Sequence, residues 1–219
     1  MLERVLPPVV AVAEAYQDVA GTTLFPEEEA AVARAVPKRR TEFATARACA
    51  RTALAQLGQP PVPILPGPRG APRWPAGVTG SITHCDGYRA AGVAWTTDLA
   101  AIGLDAEPNQ ALPDGVLDLI AFGPERAQLA RLAQTEPADV CWDRLLFCAK
   151  EAVYKVWFPL TQRWLGFEEA EVVIKPHDGA FTARLLVPGP LVAGSPLTVL
   201  NGRWIADRGL VATAITVPG

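Results

Sequence analysis

Two acidic residues in one short segment are the side chains best suited to chemistry. In IGLDAEP, Asp105 and Glu107 are separated by a single residue, so in a strand both carboxylates lie on the same face. Neighbouring carboxylates repel each other unless a cation lies between them. Mg²⁺ prefers oxygen ligands and is commonly held by one or two carboxylates together with water and substrate phosphate. The pair is compatible with a magnesium site, although a solvated strand face ending in a turn would also explain it.

A second group of charges lies in the apolar segment WDRLLFCAKEAVYKVWFP, which contains Lys150, Glu151 and Lys155. Glu151 precedes Lys155 by one helical turn, and on an exposed helix such a pair is worth only about 0.2–0.5 kcal/mol. The neighbouring residues are apolar on nearly all sides, which predicts a substantially buried helix. Buried charges are costly unless they are paired or bind a ligand. The segment therefore favours a site over a surface ion pair.

Arginine is the dominant cation, with sixteen arginines and four lysines. A guanidinium group can donate two parallel hydrogen bonds to phosphate, so the bias permits a phosphate ligand, although genomic base composition would explain it equally well. A helix predicted over residues 37–57 carries Arg39, Arg40, Arg47 and Arg51, and the last three fall close to one stripe. The alternative is a solvated basic face.

The segment GSITHC adds Thr83 and His84 at the end of a predicted strand. Thr83 could bind phosphate or simply favour the strand, and a lone histidine is more often structural than catalytic. The chain has no Walker A motif, no GxGxxG after a strand and no GxSxG elbow. Dinucleotide binding and serine hydrolysis therefore have no support.

Composition excludes several other classes. The net charge of −3 gives no reason to expect binding to nucleic acid or to an anionic membrane. The four cysteines form no CxxC pair, which argues against zinc and favours free thiols in a reducing cytoplasm. Neither a signal peptide nor an apolar stretch of membrane-spanning length is evident, so we expect a cytoplasmic protein.

The elements that must position these residues form two sets of helices and strands, which predicts the α+β class. Residues 59–77 are rich in Pro and Gly and are expected to form an extended loop. The strands 80–85, 88–96 and 99–108 are expected to form an antiparallel meander. Further strands are predicted over residues 170–175, 180–186, 197–206 and 210–216. Helices are predicted over residues 26–36, 37–57, 114–121, 124–134 and 140–157, with Pro159 ending the last one.

Four segments, taken together and in this order, resemble the motifs of the 4′-phosphopantetheinyl transferase family: KRRTEFATARACAR, WPAGVTGSITHC, AIGLDAEP and FCAKEAVYK. The match is to the larger type, which includes siderophore-synthase activators and actinobacterial relatives, and it covers about Lys38 to Phe167. The resemblance implies two similar halves, residues 1–108 and 109–219, related by a pseudo-twofold axis with coenzyme A (CoA) in the cleft between them. It also implies Mg²⁺-dependent transfer of 4′-phosphopantetheine from CoA to a serine of a carrier protein.

The resemblance assigns a role to each candidate residue. The catalytic residues would be Glu151, as the general base, and Lys155. The metal ligands would be Asp105, Glu107 and Glu151. The residues that bind CoA would be Arg39, Arg47 and His84 at the 3′-phosphate, Thr83 nearby, Lys150 and Lys155 at the diphosphate, and Tyr154 and Trp164 around the pantetheine arm. Relatives often carry a lysine where this chain has Pro66 in ILPGPRG, and Arg69 could replace it at the adenylate end.

The implied cofactors and partners are Mg²⁺, with Mn²⁺ as a substitute, CoA as co-substrate, and apo acyl or peptidyl carrier proteins. An internally duplicated chain has no need to dimerise to build its cleft, so we expect a monomer. Two alternatives are a hydrolase of the CoA or nucleotide pyrophosphate that uses the same acids, and a non-catalytic CoA-binding subunit.

Overall fold

Two main antiparallel sheets, each covered by a long helix, make up the α+β fold that the sequence predicts. The computed structural model describes residues 1–136 and 138–219. Its helices are α1 (Pro26–Ala31), α2 (Pro37–Gln56), α3 (Val116–Ile120), α4 (Pro124–Thr135) and α5 (Trp142–Thr161), with 3₁₀ turns at Leu2–Arg4, Pro68–Gly70 and Phe167–Glu169. Its strands are β1 (Ala11–Ala15), β2 (Val78–Cys85), β3 (Tyr88–Trp95), β4 (Leu99–Pro108), β5 (Ala170–Lys175), β6 (Ala180–Leu185), β7 (Leu191–Val192), β8 (Ser195–Pro196), β9 (Val199–Asp207) and β10 (Leu210–Pro218).

The N-terminal sheet has the strand order β1-β3-β2, and α2 packs against β3 and β1. Pro37 begins α2, where the missing N–H costs no hydrogen bond. Phe43, Ala50 and Leu54 recur at helical spacing and are buried against the sheet. The helix ends just before Gly58, whose φ of 75° suits the left-handed conformation that follows many helices.

The second sheet has the strand order β4-β10-β9-β6-β5, and α5 packs against β4 and β10. Gly103 of β4 permits the close approach of this helix, because a Cβ atom there would lie 2.1 Å from the Ala152 carbonyl oxygen. The contact fixes the part of α5 that carries Glu151 and Lys155 beside the end of β4. The glycine that permits this close packing therefore also sets the position of the candidate site.

The predicted meander is wrong in its third strand. β2 and β3 form an antiparallel hairpin, but β4 pairs with β10, with Asp105 opposite Thr213. β4 contacts β2 through side chains, since Ser81 Oγ accepts from Leu104 N at 3.0 Å and Thr83 Oγ1 accepts from Ala106 N at 3.0 Å. Local alternation identifies a strand but not its partner, which here lies about a hundred residues away.

Helix α5 also runs further than predicted, passing through Pro159 to Thr161. The proline removes a single backbone donor in the last turn, and the helix ends only at Gln162, whose φ is 56°. The proposed boundary between halves at residue 108 stays a prediction, and β4 itself lies in the sheet formed mainly by later strands. Among residues 1–136 and 138–219, no helix combines the length and apolar character needed to cross a bilayer.

Candidate active site

Asp105 lies at the centre of the candidate site, buried near the end of β4. Its Oδ1 atom accepts hydrogen bonds from Lys155 Nζ at 2.7 Å and from Thr83 Oγ1 at 3.2 Å. Lys155 Nζ also donates to the Leu104 carbonyl at 2.8 Å. The other carboxylate oxygen, Oδ2, is buried and has no hydrogen-bond partner within the described residues. A buried oxygen of this kind lacks the compensation that its desolvation requires.

Glu107, two residues further along β4, is partly buried and lies 3.2 Å from Arg144 Nη1. Burial, together with the negative charge of Asp105, raises the pKa of Glu107 to about 7 despite this arginine. Burial and Asp105 also raise the pKa of Glu151. The three carboxyl groups from β4 and α5 therefore share one electrostatic environment that is short of positive charge.

Arg144 is a residue of this site that the sequence analysis did not select. Besides contacting Glu107, it donates to the Gln110 carbonyl from Nε and to the Ala111 carbonyl from Nη2, both at 3.0 Å. It thereby holds the loop that follows the acidic strand. The available signal was its spacing, since it precedes Glu151 by seven residues and so lies on nearly the same face of α5.

The acids fit a divalent cation by their chemistry rather than by their present spacing. In residues 1–136 and 138–219, no three His, Cys, Asp or Glu side chains are arranged to hold a metal ion. The Lys155 ammonium group instead supplies the positive charge at Asp105. The free Oδ2 of Asp105 and the raised pKa of Glu107 both indicate unmet demand for a cation, and carboxylate oxygens are the ligands that Mg²⁺ prefers.

A basic cluster lies at the C-terminal end of β2. Arg39 Nη1 is 2.7 Å from His84 Nε2. Partial burial of the ring, and the positive charge of Arg39, lower the pKa of His84 to about 4, although the residue as a whole remains exposed. The imidazole is therefore neutral at pH 7 and accepts a hydrogen bond from Arg39.

Arg47 is buried next to this pair, with its guanidinium group 4.0 Å from the centre of the Phe43 ring. Its Nε atom donates to the Ile64 carbonyl at 2.7 Å. Burial lowers the pKa of Arg47 to about 10, with Arg39 and Arg51 adding to the effect and Glu28 opposing it. Crowded cations of this kind form a favourable place for a phosphate group.

The other two arginines of the predicted stripe are engaged elsewhere. Arg40 Nη2 lies 2.8 Å from Glu29, and Arg51 Nη1 lies 2.9 Å from Glu28. Glu28 is completely buried and also accepts from the Ile64 backbone N–H at 2.8 Å. These two arginines therefore attach α1 to α2, and the stripe is divided between structural pairs and the cluster around Arg39 and Arg47.

Two cavities meet at α5. A cleft of about 580 Å³ lies between the loop 67–74, β2 and α5, and a pocket of about 190 Å³ lies between α5 and residues 164–170. Glu151 and Tyr154 line both cavities. A ligand extending from the larger cleft into the smaller pocket would therefore pass directly beside Glu151.

Aromatic side chains form the boundary between these cavities. The centres of the Tyr154 and Trp164 rings lie 5.2 Å apart. The Arg69 guanidinium group lies 4.9 Å from the centre of the Trp164 ring and forms a cation–π pair with it. The Tyr154 hydroxyl is buried without a hydrogen-bond partner among the described residues. Arg69, Tyr154 and Trp164 thus lie together, as walls of a binding region.

Lys150 differs from the other candidate residues. It is buried, its Nζ atom lies 2.9 Å from Glu125 of α4, and it donates to the Phe167 carbonyl at 2.7 Å. Burial lowers the pKa of Lys150, and Glu125 opposes that shift. The diphosphate-binding role implied by the resemblance stays a prediction for this residue, and its present partners are groups of the protein.

Comparisons with known proteins show which family the chain resembles. Residues 27–94 match the family model described as the 4′-phosphopantetheinyl transferase N-terminal domain, and residues 101–195 match that of the 4′-phosphopantetheinyl transferase superfamily. The chain is 56% identical over 220 residues to the 4′-phosphopantetheinyl transferase Svp of Streptomyces mobaraensis, covering 99% of this chain and 89% of Svp. It is 52% identical over 225 residues to PptT of Mycobacterium tuberculosis, covering 99% and 98% of the two chains.

A third relative, the 4′-phosphopantetheinyl transferase Npt of Nocardia iowensis, is 50% identical over 223 residues, covering 98% of this chain and 99% of Npt. The matches cover nearly the whole chain and therefore extend over both sheets and both long helices. They confirm the resemblance found from the motifs. The chain belongs to the 4′-phosphopantetheinyl transferase superfamily of enzymes.

Proposed function

We propose that the protein transfers the 4′-phosphopantetheine group of CoA to a serine of an apo acyl or peptidyl carrier protein, leaving 3′,5′-ADP. The observation that carries this proposal is the position of Glu151, which lines both cavities while sharing the charge environment of Asp105. The names of the three relatives support the same reaction. Each part of CoA has a chemically matching region nearby.

The basic cluster matches the 3′-phosphate of CoA. Arg39, Arg47 and His84 offer several donors at one place, and only His84 is neutral at pH 7. The larger cleft, with Arg69 on its wall, suits the nucleotide, and the smaller pocket, with Trp164 and Tyr154, suits the pantetheine arm. Phosphate recognition by arginines and an apolar pocket for the arm would together orient the diphosphate beside Glu151.

Asp105, Glu107 and Glu151 would hold Mg²⁺ or, in its place, Mn²⁺. When bound, the ion would neutralise charge on the diphosphate. Lys155 adds a positive charge that the protein itself provides, since its ammonium group already lies at Asp105. Thr83 orients the Asp105 carboxylate through its hydroxyl, which makes Thr83 a positioning residue in this arrangement.

Glu151 would take the proton from the carrier serine, directly or through water. A carboxylate in water is a weak base, and the raised pKa of Glu151 brings its proton affinity closer to that required. The serine oxygen attacks the β-phosphorus, the phosphoanhydride bond breaks, and 3′,5′-ADP leaves with the electron pair. Positioning and neutralisation of charge supply most of the catalysis in reactions of this kind.

The test incubates the protein with CoA, Mg²⁺ and apo carriers of the acyl and peptidyl types, and then determines the carrier mass. We expect a mass gain of one phosphopantetheine group that requires all three components. CoA breakdown in the absence of carrier would instead identify a hydrolase, and binding without turnover would identify a non-catalytic subunit. We also propose a monomer, because one chain supplies every wall of both cavities, and light scattering of the purified protein tests this.

A further inference from the structure

A nearly fully buried ion pair lies beside the candidate active site. The side chains of Lys150 and Glu125 are each only 2% exposed, and Lys150 Nζ lies 2.9 Å from Glu125 Oε2. Taking two charges out of water is costly, so a buried pair persists only where further hydrogen bonds satisfy both groups. Lys150 adjoins Glu151 in sequence, and both residues line the smaller pocket, but the ammonium group of Lys150 contacts Glu125 of α4.

Both partners are satisfied by neighbouring segments. Glu125 accepts from the backbone N–H of Phe122 at 2.9 Å and from that of Val172 at 2.8 Å. Lys150 donates to the Phe167 carbonyl at 2.7 Å, and its ammonium group lies 5.5 Å from the centre of the Phe122 ring. The ion pair therefore joins α5, the start of α4, the 3₁₀ turn at Phe167–Glu169 and β5.

These segments include a wall of the smaller pocket. Residues 164–167 and Ala170 line it opposite Glu151, and the Phe167 carbonyl is the group held by Lys150. Lys150 itself also lines this pocket, but an ammonium group that moved away from Glu125 toward a ligand would leave Glu125 charged, buried and without its cation. Breaking a buried pair in this way is strongly unfavourable.

We propose that Lys150 and Glu125 are positioning residues that fix the wall of the smaller pocket, and that Lys150 does not ligate the diphosphate of CoA. The inference deepens the proposed function, on which it rests for the identity of the pantetheine arm in that pocket. Lys150 acts through the Phe167 carbonyl, and Glu125 acts through Lys150 and the Val172 backbone.

The test compares Glu125→Gln, Lys150→Met and the double variant with the unchanged protein. Each single substitution leaves one buried charge without a partner, and we expect it to lower the melting temperature by about 10 °C. Displacement of the pocket wall should raise KM for CoA about tenfold with kcat little changed. The double variant is neutral at both positions and should recover most of the melting temperature and a KM within about threefold of the original.

Glu125→Gln separates the two roles most sharply. It frees the lysine from its carboxylate, so a lysine that binds diphosphate directly would bind CoA as tightly as before or more tightly. A raised KM in this variant supports positioning, and an unchanged KM overturns it. A double variant that keeps the raised KM of Lys150→Met would also overturn the proposal, because the loss would then follow the lysine alone.

Two further measurements keep the result interpretable. Calorimetric binding of CoA and thermal melting require no transfer reaction. The comparison of the two single variants with the double variant therefore remains decisive even if the protein modifies no carrier. Asp118→Asn and Arg126→Met, with their double variant, provide a matched exposed pair whose charged atoms are 2.7 Å apart. We expect this control to change the melting temperature by less than about 2 °C and to leave KM unaltered. Coupling as large in the control as in the buried pair would refute a special role for Lys150 and Glu125.

Discussion

Two lysines on one helix, five residues apart, have opposite surroundings. The side chains of Lys150 and Glu125 are each only 2% exposed, and both oxygens of Glu125 accept additional backbone hydrogen bonds. Lys155 is 26% exposed, and its partner Asp105 keeps one buried oxygen without a hydrogen bond. A carboxylate whose two oxygens both have partners is suited to holding structure together, whereas one with a buried oxygen to spare can accept another cation. We therefore expect a lysine–carboxylate pair to serve stability in one place and chemistry in the other.

The largest effect on the rate of transfer should come from removing an acid of the candidate active site. Asp105→Asn preserves the shape of the side chain but removes charge where a cation must bind, and transfer should fall at least about a thousandfold. Glu151→Gln should have a comparable effect because it removes the proton acceptor. The initial rate of carrier modification measures both. Asp118→Asn, an exposed residue of α3, is the control that should keep the original rate.

Rates near that of the unchanged protein in Asp105→Asn or Glu151→Gln would show that the chemistry occurs elsewhere. Thermal melting distinguishes loss of chemistry from loss of fold. Asp105 accepts hydrogen bonds from Thr83 and Lys155, and an amide oxygen can accept the same bonds, so the folded structure should persist.

Lys155→Met provides the direct counterpart to Lys150→Met. We expect transfer to fall about a hundredfold, because a cation next to the reacting phosphate is lost. The melting temperature should fall less than in Lys150→Met, because Lys155 is partly solvated and Asp105, although left without its cation, still accepts a hydrogen bond from Thr83. An equal fall in melting temperature in the two variants would remove the distinction between the Lys150–Glu125 pair and the Lys155–Asp105 pair.

Sequence patterns predicted most of the helices and strands, including the strand that carries Asp105 and Glu107 and the helix that carries Glu151. Each of these elements depends on periodicity within a short segment. The patterns did not predict the pairing of β4 with β10, which depends on contacts between distant parts of the chain. Five residues along a helix is a rotation of about 140°, so Lys150 and Lys155 must face different neighbours. Periodicity cannot say which of them faces the cleft, and it gives no reason to connect Glu125 with Lys150.

The basic cluster permits a similar contrast between an arginine proposed to bind phosphate and one that forms an ion pair within the protein. Arg47→Gln should raise KM for CoA about tenfold, because a buried donor to phosphate is lost. Arg40→Gln should have little effect, since Arg40 forms a largely exposed pair with Glu29. Assays with dephospho-CoA, which lacks the 3′-phosphate, measure the specificity of the difference. An equal effect of Arg47→Gln on both substrates would assign this arginine to the protein core and not to the 3′-phosphate.

The smallest expected effect is a dependence of stability on pH that arises from His84. Its folded-state pKa of about 4 lies below the ordinary value of 6.5, because burial of the ring and the adjacent Arg39 disfavour the charged form. The unfolded chain therefore binds a proton first on acidification, so the contribution of His84 to stability is present above pH 6.5 and is lost as the pH falls toward 4. Melting temperatures of the ligand-free protein should consequently fall less between pH 7 and about pH 5 in His84→Gln than in the unchanged protein.

His177 supplies the matched control, because it is the other histidine of the chain and its side chain is 84% exposed. The difference between His84→Gln and His177→Gln then separates the effect of the surroundings of His84 from that of replacing a histidine. A bound phosphate group would reverse the balance at His84, since a nearby negative charge favours the protonated ring. Saturating CoA should therefore reduce the difference between His84→Gln and the unchanged protein, and a difference that persists with CoA bound would place the 3′-phosphate away from Arg39 and His84.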